Sequence, residues 1–281
     1  MNVPFASRFK VVFLSMGLMG LMGFSAVPLV YAQDGSSPSL ELGGGQAGQF
    51  QRWMQDAQAP NASLEEKGKA MYGLARSYET GSGVELDVLQ AVTWYQKALA
   101  LPIPAYQQVV LYQTVKGRKV RVMKKQPVAP PAWYAESALH LATLYIQGKG
   151  VVTPRVEEAF HLLQLASKAP LPAAWFLQGL AYMEGQGTQM NLPQGFAWVR
   201  RAAESGYPAA VYKLAMCYAE GLGTAPNLQQ AYVWSMVATA LNVEGAQEMS
   251  EALSSHLSEG ERVQAQVWIR AWVKRLRIFE S

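Results

Sequence analysis

Four copies of a Gly-x-Gly turn, each flanked by the same small and aromatic residues, limit what this chain can become. The turns stand at Gly81/Gly83, Gly148/Gly150, Gly185/Gly187 and Gly221/Gly223, in steps of 67, 37 and 36 residues. The long first step is one repeat plus an insertion of about 31 residues. Three residues before each first glycine is a tyrosine (Tyr78, Tyr145, Tyr182, Tyr218), and six before it a small residue (Ala75, Ala142, Gly179, Ala215). After the turn come Ala91, Ala159, Gly195 and Ala231, then Trp94, Leu162, Trp198 and Trp234, then Ala98, Ala166, Ala202 and Ala238. Apolar positions recur every three or four residues on both sides of the turn, which is the period of an amphipathic helix. Each unit therefore reads as helix A, a tight turn and helix B. The first glycine ends helix A in a left-handed conformation, and the second lets the chain reverse. Small residues let the two helix axes approach, while Tyr and Trp fill the space around them.

Caps support these boundaries. Ser63 with Glu66 and Ser258 with Glu261 have capping-box spacing, and Asn227 opens a B helix. One helix pair cannot bury its own apolar face, so successive pairs must stack into a solenoid.

The units resemble the Sel-one-like repeat family, a 36-residue relative of the tetratricopeptide repeat. The resemblance rests on Gly73-Leu74-Ala75-Arg76-Ser77-Tyr78-Glu79-Thr80-Gly81-Ser82-Gly83-Val84, on Ala91-Val92-Thr93-Trp94-Tyr95-Gln96-Lys97-Ala98 and on Tyr218-Ala219-Glu220-Gly221-Leu222-Gly223. It covers about residues 65–100 and 133–242. The second copy departs, with Leu162 in place of Trp and one extra residue near Thr153-Pro154. The resemblance implies an all-α superhelical solenoid, right-handed, with a concave side lined by A helices that binds protein partners.

The ends differ from the repeats. Arg8 and Lys10, the apolar run Val11 to Phe24 and Val30-Tyr31-Ala32 have the order of a cleavable export signal over 1–32, cut between Ala32 and Gln33. This predicts a periplasmic or secreted protein with no transmembrane segment after cleavage. Residues 33–45 are a Gly/Ser-rich linker. Residues 46–100 hold an N-terminal helix (Gln46 to Gln58) and repeat 1, and residues 133–242 hold repeats 2–4. Residues 243–281 form a capping helix pair whose apolar positions include Val263, Val267, Ile269, Trp272, Val273 and Leu276.

Charge is concentrated in the insertion at 101–132. The formal net charge is +4, yet residues 1–32 carry two basic side chains, the insertion carries six, and neither segment has an acid. The rest is mildly acidic, unlike the diffuse basic surface of a nucleic-acid-binding domain. Pro102, Pro104, Pro127, Pro130 and Pro131 bound the insertion. Between them, Val109 to Val115 is rich in strand-formers, Lys116-Gly117-Arg118 reads as a turn, and Lys119 to Lys125 alternates. This predicts a basic β-hairpin at about 106–126. Val120, Val122 and Lys124 fall on one face, and Lys119, Arg121, Met123 and Lys125 on the other. Two roles fit. The hairpin is a solvated ribbon folded over the first repeat, its lysines blunting an open edge. Or Lys116, Arg118, Lys119, Arg121, Lys124 and Lys125 dock an acidic protein, an anionic lipid or a cell-wall polymer. No aromatic platform for nucleic acid accompanies them.

Chemistry finds little support. The single cysteine, Cys217, rules out an internal disulfide and reads as core filler. His140 and His161 fall on two helices of the second repeat without the spacing of a metal site, and no nucleophile elbow or phosphate loop occurs. Catalytic, cofactor and metal residues are thus expected to be none. Cysteine-rich Sel-one-like proteins have been linked to β-lactam binding or hydrolysis, a framework this chain lacks. The expectation is a non-enzymatic scaffold mediating protein–protein interactions in the cell envelope; the alternative is a protein that binds or hydrolyses an envelope polymer such as peptidoglycan.

Overall fold

The computed structural model describes residues 45–104, 106–115, 118–148 and 154–276. The export signal, residues 33–44 of the linker, Lys116 and Gly150 lie outside them. Along the chain run α1 (Gln46–Gln58), α2 (Leu64–Thr80), α3 (Val88–Leu99), β1 (Tyr106–Val115), β2 (Arg118–Pro127), α4 (Ala132–Gln147), α5 (Val156–Ala166), α6 (Pro172–Glu184), α7 (Leu192–Glu204), α8 (Pro208–Glu220), α9 (Leu228–Ala240), α10 (Ala246–Ser254) and α11 (Glu259–Arg275). From α1 to α10 each helix packs on its neighbours in sequence, α2 also reaches α4, and α9 takes both α10 and α11. This is a solenoid of helix pairs interrupted once by a two-stranded antiparallel ribbon.

Local chemistry sets the helix ends. Gly81, Gly148, Gly185 and Gly221 each close an A helix in the left-handed region. The B helices share a start: the side chains of Asp87, Asn191 and Asn227 accept the backbone N–H of Gln90, Gln194 and Gln230. The second copy breaks this rule, with Arg155 at the cap and no side-chain bond. Both capping boxes form. Replacing Asn227 with Ala is expected to cost about 1 kcal/mol, read as a lower midpoint in urea with an unchanged slope.

The small residues do what their size allows. Ala75, Ala91, Ala98, Ala142, Ala159, Ala166, Ala202, Ala215, Ala231 and Ala238 are all fully buried. In the third pair, a Cβ on Gly179 would come within 2.8 Å of Val199 Cγ2, and one on Gly195 within 2.8 Å of the Gly179 carbonyl. The helices cross with backbone nearly touching there.

The second glycine has a role beyond chain reversal. A Cβ on Gly83, Gly187 or Gly223 would meet the carbonyl oxygen of Gln46, Val156 or Leu192, each the first residue of a helix in the preceding unit. The tyrosines follow the same stacking. Tyr78, Tyr182 and Tyr218 take the rings of Phe50, Phe160 and Phe196 edge-on, with centroids 5.4, 5.1 and 5.4 Å apart. Such pairs add roughly 0.5–1.5 kcal/mol each beyond the area they bury. Gln46 and Phe50 in α1 thus occupy the places of Val156 and Phe160 in α5. Among the described residues, the N-terminal helix therefore stacks on the first repeat as a B helix stacks on the unit after it.

The C-terminal helix departs from expectation. Val263 and Val267 of α11 are 58% and 59% exposed, while Ala265 and Ile269 are buried and Trp272 packs 4.6 Å from Trp234. α11 meets the stack along the side that carries Ala265, Ile269 and Trp272, and Val263 and Val267 stand on the opposite face.

Candidate functional site

The hairpin pairs in register, with Gln108 opposite Lys125, Val110 opposite Met123, Tyr112 opposite Arg121 and Thr114 opposite Lys119. Directly paired residues share a face. One face therefore presents Tyr112 (71% exposed) and Met123 (60% exposed) beside the exposed Arg121 and Lys125. Lys124 is exposed on the other face, where Val109 and Val122 are half-buried. Arg118 and Lys119 belong to β2 by their backbone, and Lys116 lies outside the described residues. The register agrees with the alternation read from sequence. Among the described side chains the ribbon opens its basic, aromatic face to solvent.

A polar network holds the stack together where the hairpin leaves it. Glu79 of α2 accepts a 2.5 Å hydrogen bond from the Tyr95 hydroxyl of α3 and a 3.0 Å bond from Arg76. The His140 Nδ1 of α4 lies 3.3 Å from Glu79 and 3.2 Å from the Arg76 guanidinium, and its ring stacks on Tyr95. Burial alone would raise the Glu79 carboxyl, but the hydrogen bond and charge of His140, then Tyr95 and Arg76, bring it down to about 2. Burial next to Glu79 pushes the Tyr95 hydroxyl up. The Trp133 indole donates to Glu65, and Gln96 donates to the Tyr145 hydroxyl, across the same junction. Repeats 1 and 2 therefore stay in register although 32 residues leave and return between them.

A second feature lies between α5 and α7, a groove of about 750 Å³. Leu162 and Leu165 of α5, Lys168, Gln178 of α6, and Trp198 and Arg201 of α7 line it. The Arg201 guanidinium lies 4.0 Å from the Trp175 ring and 5.4 Å from that of Trp198. Gln178 is 3% exposed, and its Oε1 has no hydrogen-bond partner among the described residues. Such an orphaned acceptor costs about 1–3 kcal/mol. The other copies carry Leu74, Leu141 and Leu214 at that position, all buried.

Residues that could carry chemistry are dispersed. His140 belongs to the junction network, whereas His161 lines the groove within reach of Gln164. Burial pushes the Cys217 thiol up to about 11, so at neutral pH it is a packed thiol rather than a nucleophile. Among the described residues, no three His, Cys, Asp or Glu side chains are placed to share a metal ion. No helix among them is long and apolar enough to cross a membrane.

The sequence pattern of the Sel1 repeat matches residues 68–102, 135–170, 176–207 and 208–235. Among solved structures, the chain is similar to a protective antigen present in uropathogenic Escherichia coli strains displaying an SLR fold. The identity is 21% and the TM-score 0.59, over 83% of this chain and 46% of the antigen. It is also similar to a Sel1 repeat protein from Oxalobacter formigenes, at 20% identity and a TM-score of 0.47, over 69% of this chain and 72% of that one. The chain spans less than half of the antigen's length, and at this identity the likeness is one of fold. No curated protein matches it. Four matched copies, their left-handed glycine caps and the stacked helix pairs agree: the chain belongs to the Sel1 repeat family.

Proposed function

We propose that this chain is an exported, non-enzymatic scaffold of the cell envelope that captures an acidic protein partner on its basic hairpin. Repeats of this family are generally protein–protein interaction scaffolds, and a stack of helix pairs offers a long surface without the convergent acid, base and nucleophile that catalysis needs. The observation that carries the reading is the open face of the ribbon, where Tyr112 and Met123 lie beside Arg121 and Lys125. An isolated two-stranded ribbon is marginal in water, so this one gains from a partner that covers its apolar side chains and meets its charges. An acidic protein surface supplies both.

Changing Lys116, Arg118, Lys119, Arg121, Lys124 and Lys125 to Ser tests this. The helical spectrum and melting temperature are expected to stay within error, because the described members of this set, Arg121, Lys124 and Lys125, are exposed. Recovery of crosslinked partner from native envelopes is expected to fall at least tenfold at physiological salt, where the Debye length is about 8 Å. Unchanged recovery would leave the hairpin a structural ribbon. Sedimentation of the purified chain with cell wall stripped of protein would instead favour polymer binding.

A further inference from the structure

We propose that the groove between α5 and α7 is a second recognition site, taking an extended acidic peptide segment with its carboxylates on Arg201 and Lys168 and a main-chain N–H on Oε1 of Gln178. The inference deepens the scaffold reading above and rests on it, but it uses none of the hairpin residues.

Comparison of the copies comes first. The position seven residues before the first glycine is Leu74, Leu141 and Leu214 in the first, second and fourth units and Gln178 in the third. A leucine evidently fits this part of the fold, so packing does not demand an amide. The Gln178 Oε1 is nonetheless buried without a donor among the described residues, on the lining of the groove between α5 and α7. A ligand that brings a donor removes that defect, and one that does not leaves it in place.

The charges fix the other half of the ligand. Lys168 and Arg201 line the groove, no carboxylate does, and neither cation has an acidic partner among the described residues. Arg201 is instead held over the Trp175 and Trp198 faces, which leaves its N–H edge available for a carboxylate. Leu162, Leu165 and Trp198 supply apolar wall for the intervening side chains. A peptide interleaves N–H donors with carboxylates along one strand of chain. A phosphate dianion offers acceptors alone and would leave Oε1 unpaired.

The test uses the full chain bearing the Lys116, Arg118, Lys119, Arg121, Lys124 and Lys125→Ser changes, so that hairpin charge does not contribute. The probe is a fluorescein-labelled peptide of alternating Glu and Leu, compared by anisotropy with its Gln and Leu counterpart. The Glu peptide is expected to bind at least tenfold tighter, and Lys168→Gln with Arg201→Gln to remove that preference. Free glutamate at millimolar concentration is expected not to compete, because it cannot span the groove. Gln178→Leu discriminates best: it is expected to weaken the peptide about tenfold while raising the melting temperature by about 2–4 °C. A lowered melting temperature in Gln178→Leu would show that the amide is structural and overturn the proposal. So would peptide binding that survives Lys168→Gln with Arg201→Gln, no preference for Glu over Gln, or capture of anionic vesicles in place of the peptide. Because the hairpin is already neutralised, a failure here leaves the hairpin reading standing, and loss of partner capture through the hairpin leaves this one standing.

Discussion

Gly187→Ala is expected to destabilise the folded chain by roughly 3–5 kcal/mol, while Gly185→Ala two residues earlier should cost only about 1–2 kcal/mol. Both glycines have positive φ, +66° and +71°, so a methyl group strains the backbone equally at each. Their surroundings differ. A Cβ on Gly185 finds its nearest neighbours at 3.5 Å, which is ordinary contact, whereas one on Gly187 would fall 2.0 Å from the Val156 carbonyl oxygen. That oxygen belongs to the first residue of α5, so relief requires moving a whole helix start away from the next turn. Unfolding in urea, followed by helical ellipticity, measures both variants against the parent. Equal losses would mean that backbone strain is the whole cost and that the second glycine does not set the spacing between units. Gly223, with Leu192 at 2.1 Å, provides an independent repeat of the test.

The same contrast shows what the sequence could reveal. A regular spacing of small residues, tyrosines and tryptophans is enough to read helix pairs, since each helix must place its apolar side at a fixed period. It also places the capping boxes at Ser63 and Ser258, because capping is a local bond between residues three apart. Spacing says nothing of which unit a residue touches. The second glycines therefore read as chain reversal, when they also admit the start of a helix from the unit before. Gln46 to Gln58 read as an N-terminal helix without a place in the repeat because its partner motif, Phe50 against Tyr78, lies 28 residues away and only the stack joins them. Val263 and Val267 match the helical period of a buried face yet lie outside the last contact surface.

The residues of greatest interest were visible as departures from the repeat. Gln178 replaces a leucine, and Glu79 stands where the other copies have Ile146, Met183 and Ala219. An average pattern discards such exceptions, although an acid or amide at an apolar repeat position marks a local bond or a local task. For Glu79 the structure supplies the bond. For Gln178 it supplies only an acceptor facing a cationic groove.

Glu79→Gln follows from that difference. Glu79 is the one acid that α2, α3 and α4 share, and its side chain is 20% exposed, so solvent screens it little. Its carboxyl lies near 2 in the folded chain against an ordinary value of 4.5. A depressed folded value means that the unfolded chain takes up the proton first as pH falls. The stabilisation is therefore complete above about pH 4.5 and is lost progressively as pH drops toward 2. Its size is roughly 3 kcal/mol, one pKa unit being about 1.4 kcal/mol. The amide in Glu79→Gln still accepts from Tyr95 but no longer offsets the charge on Arg76, so at pH 7 the variant should be less stable by about 2–4 kcal/mol. Glu65, Glu66 and Glu261 are also held below their ordinary values, by bonds at exposed helix starts. They contribute equally to parent and variant and cancel in the difference. Urea unfolding at pH 7, 5, 3.5 and 2.5 should show the two stabilities converging as the medium becomes acid. Parallel profiles would mean that the Glu79 charge is not what joins the first two repeats. Convergence would identify this junction as the acid-sensitive point of the stack. The hairpin emerges at that junction, so its hold on a partner should weaken over the same pH range.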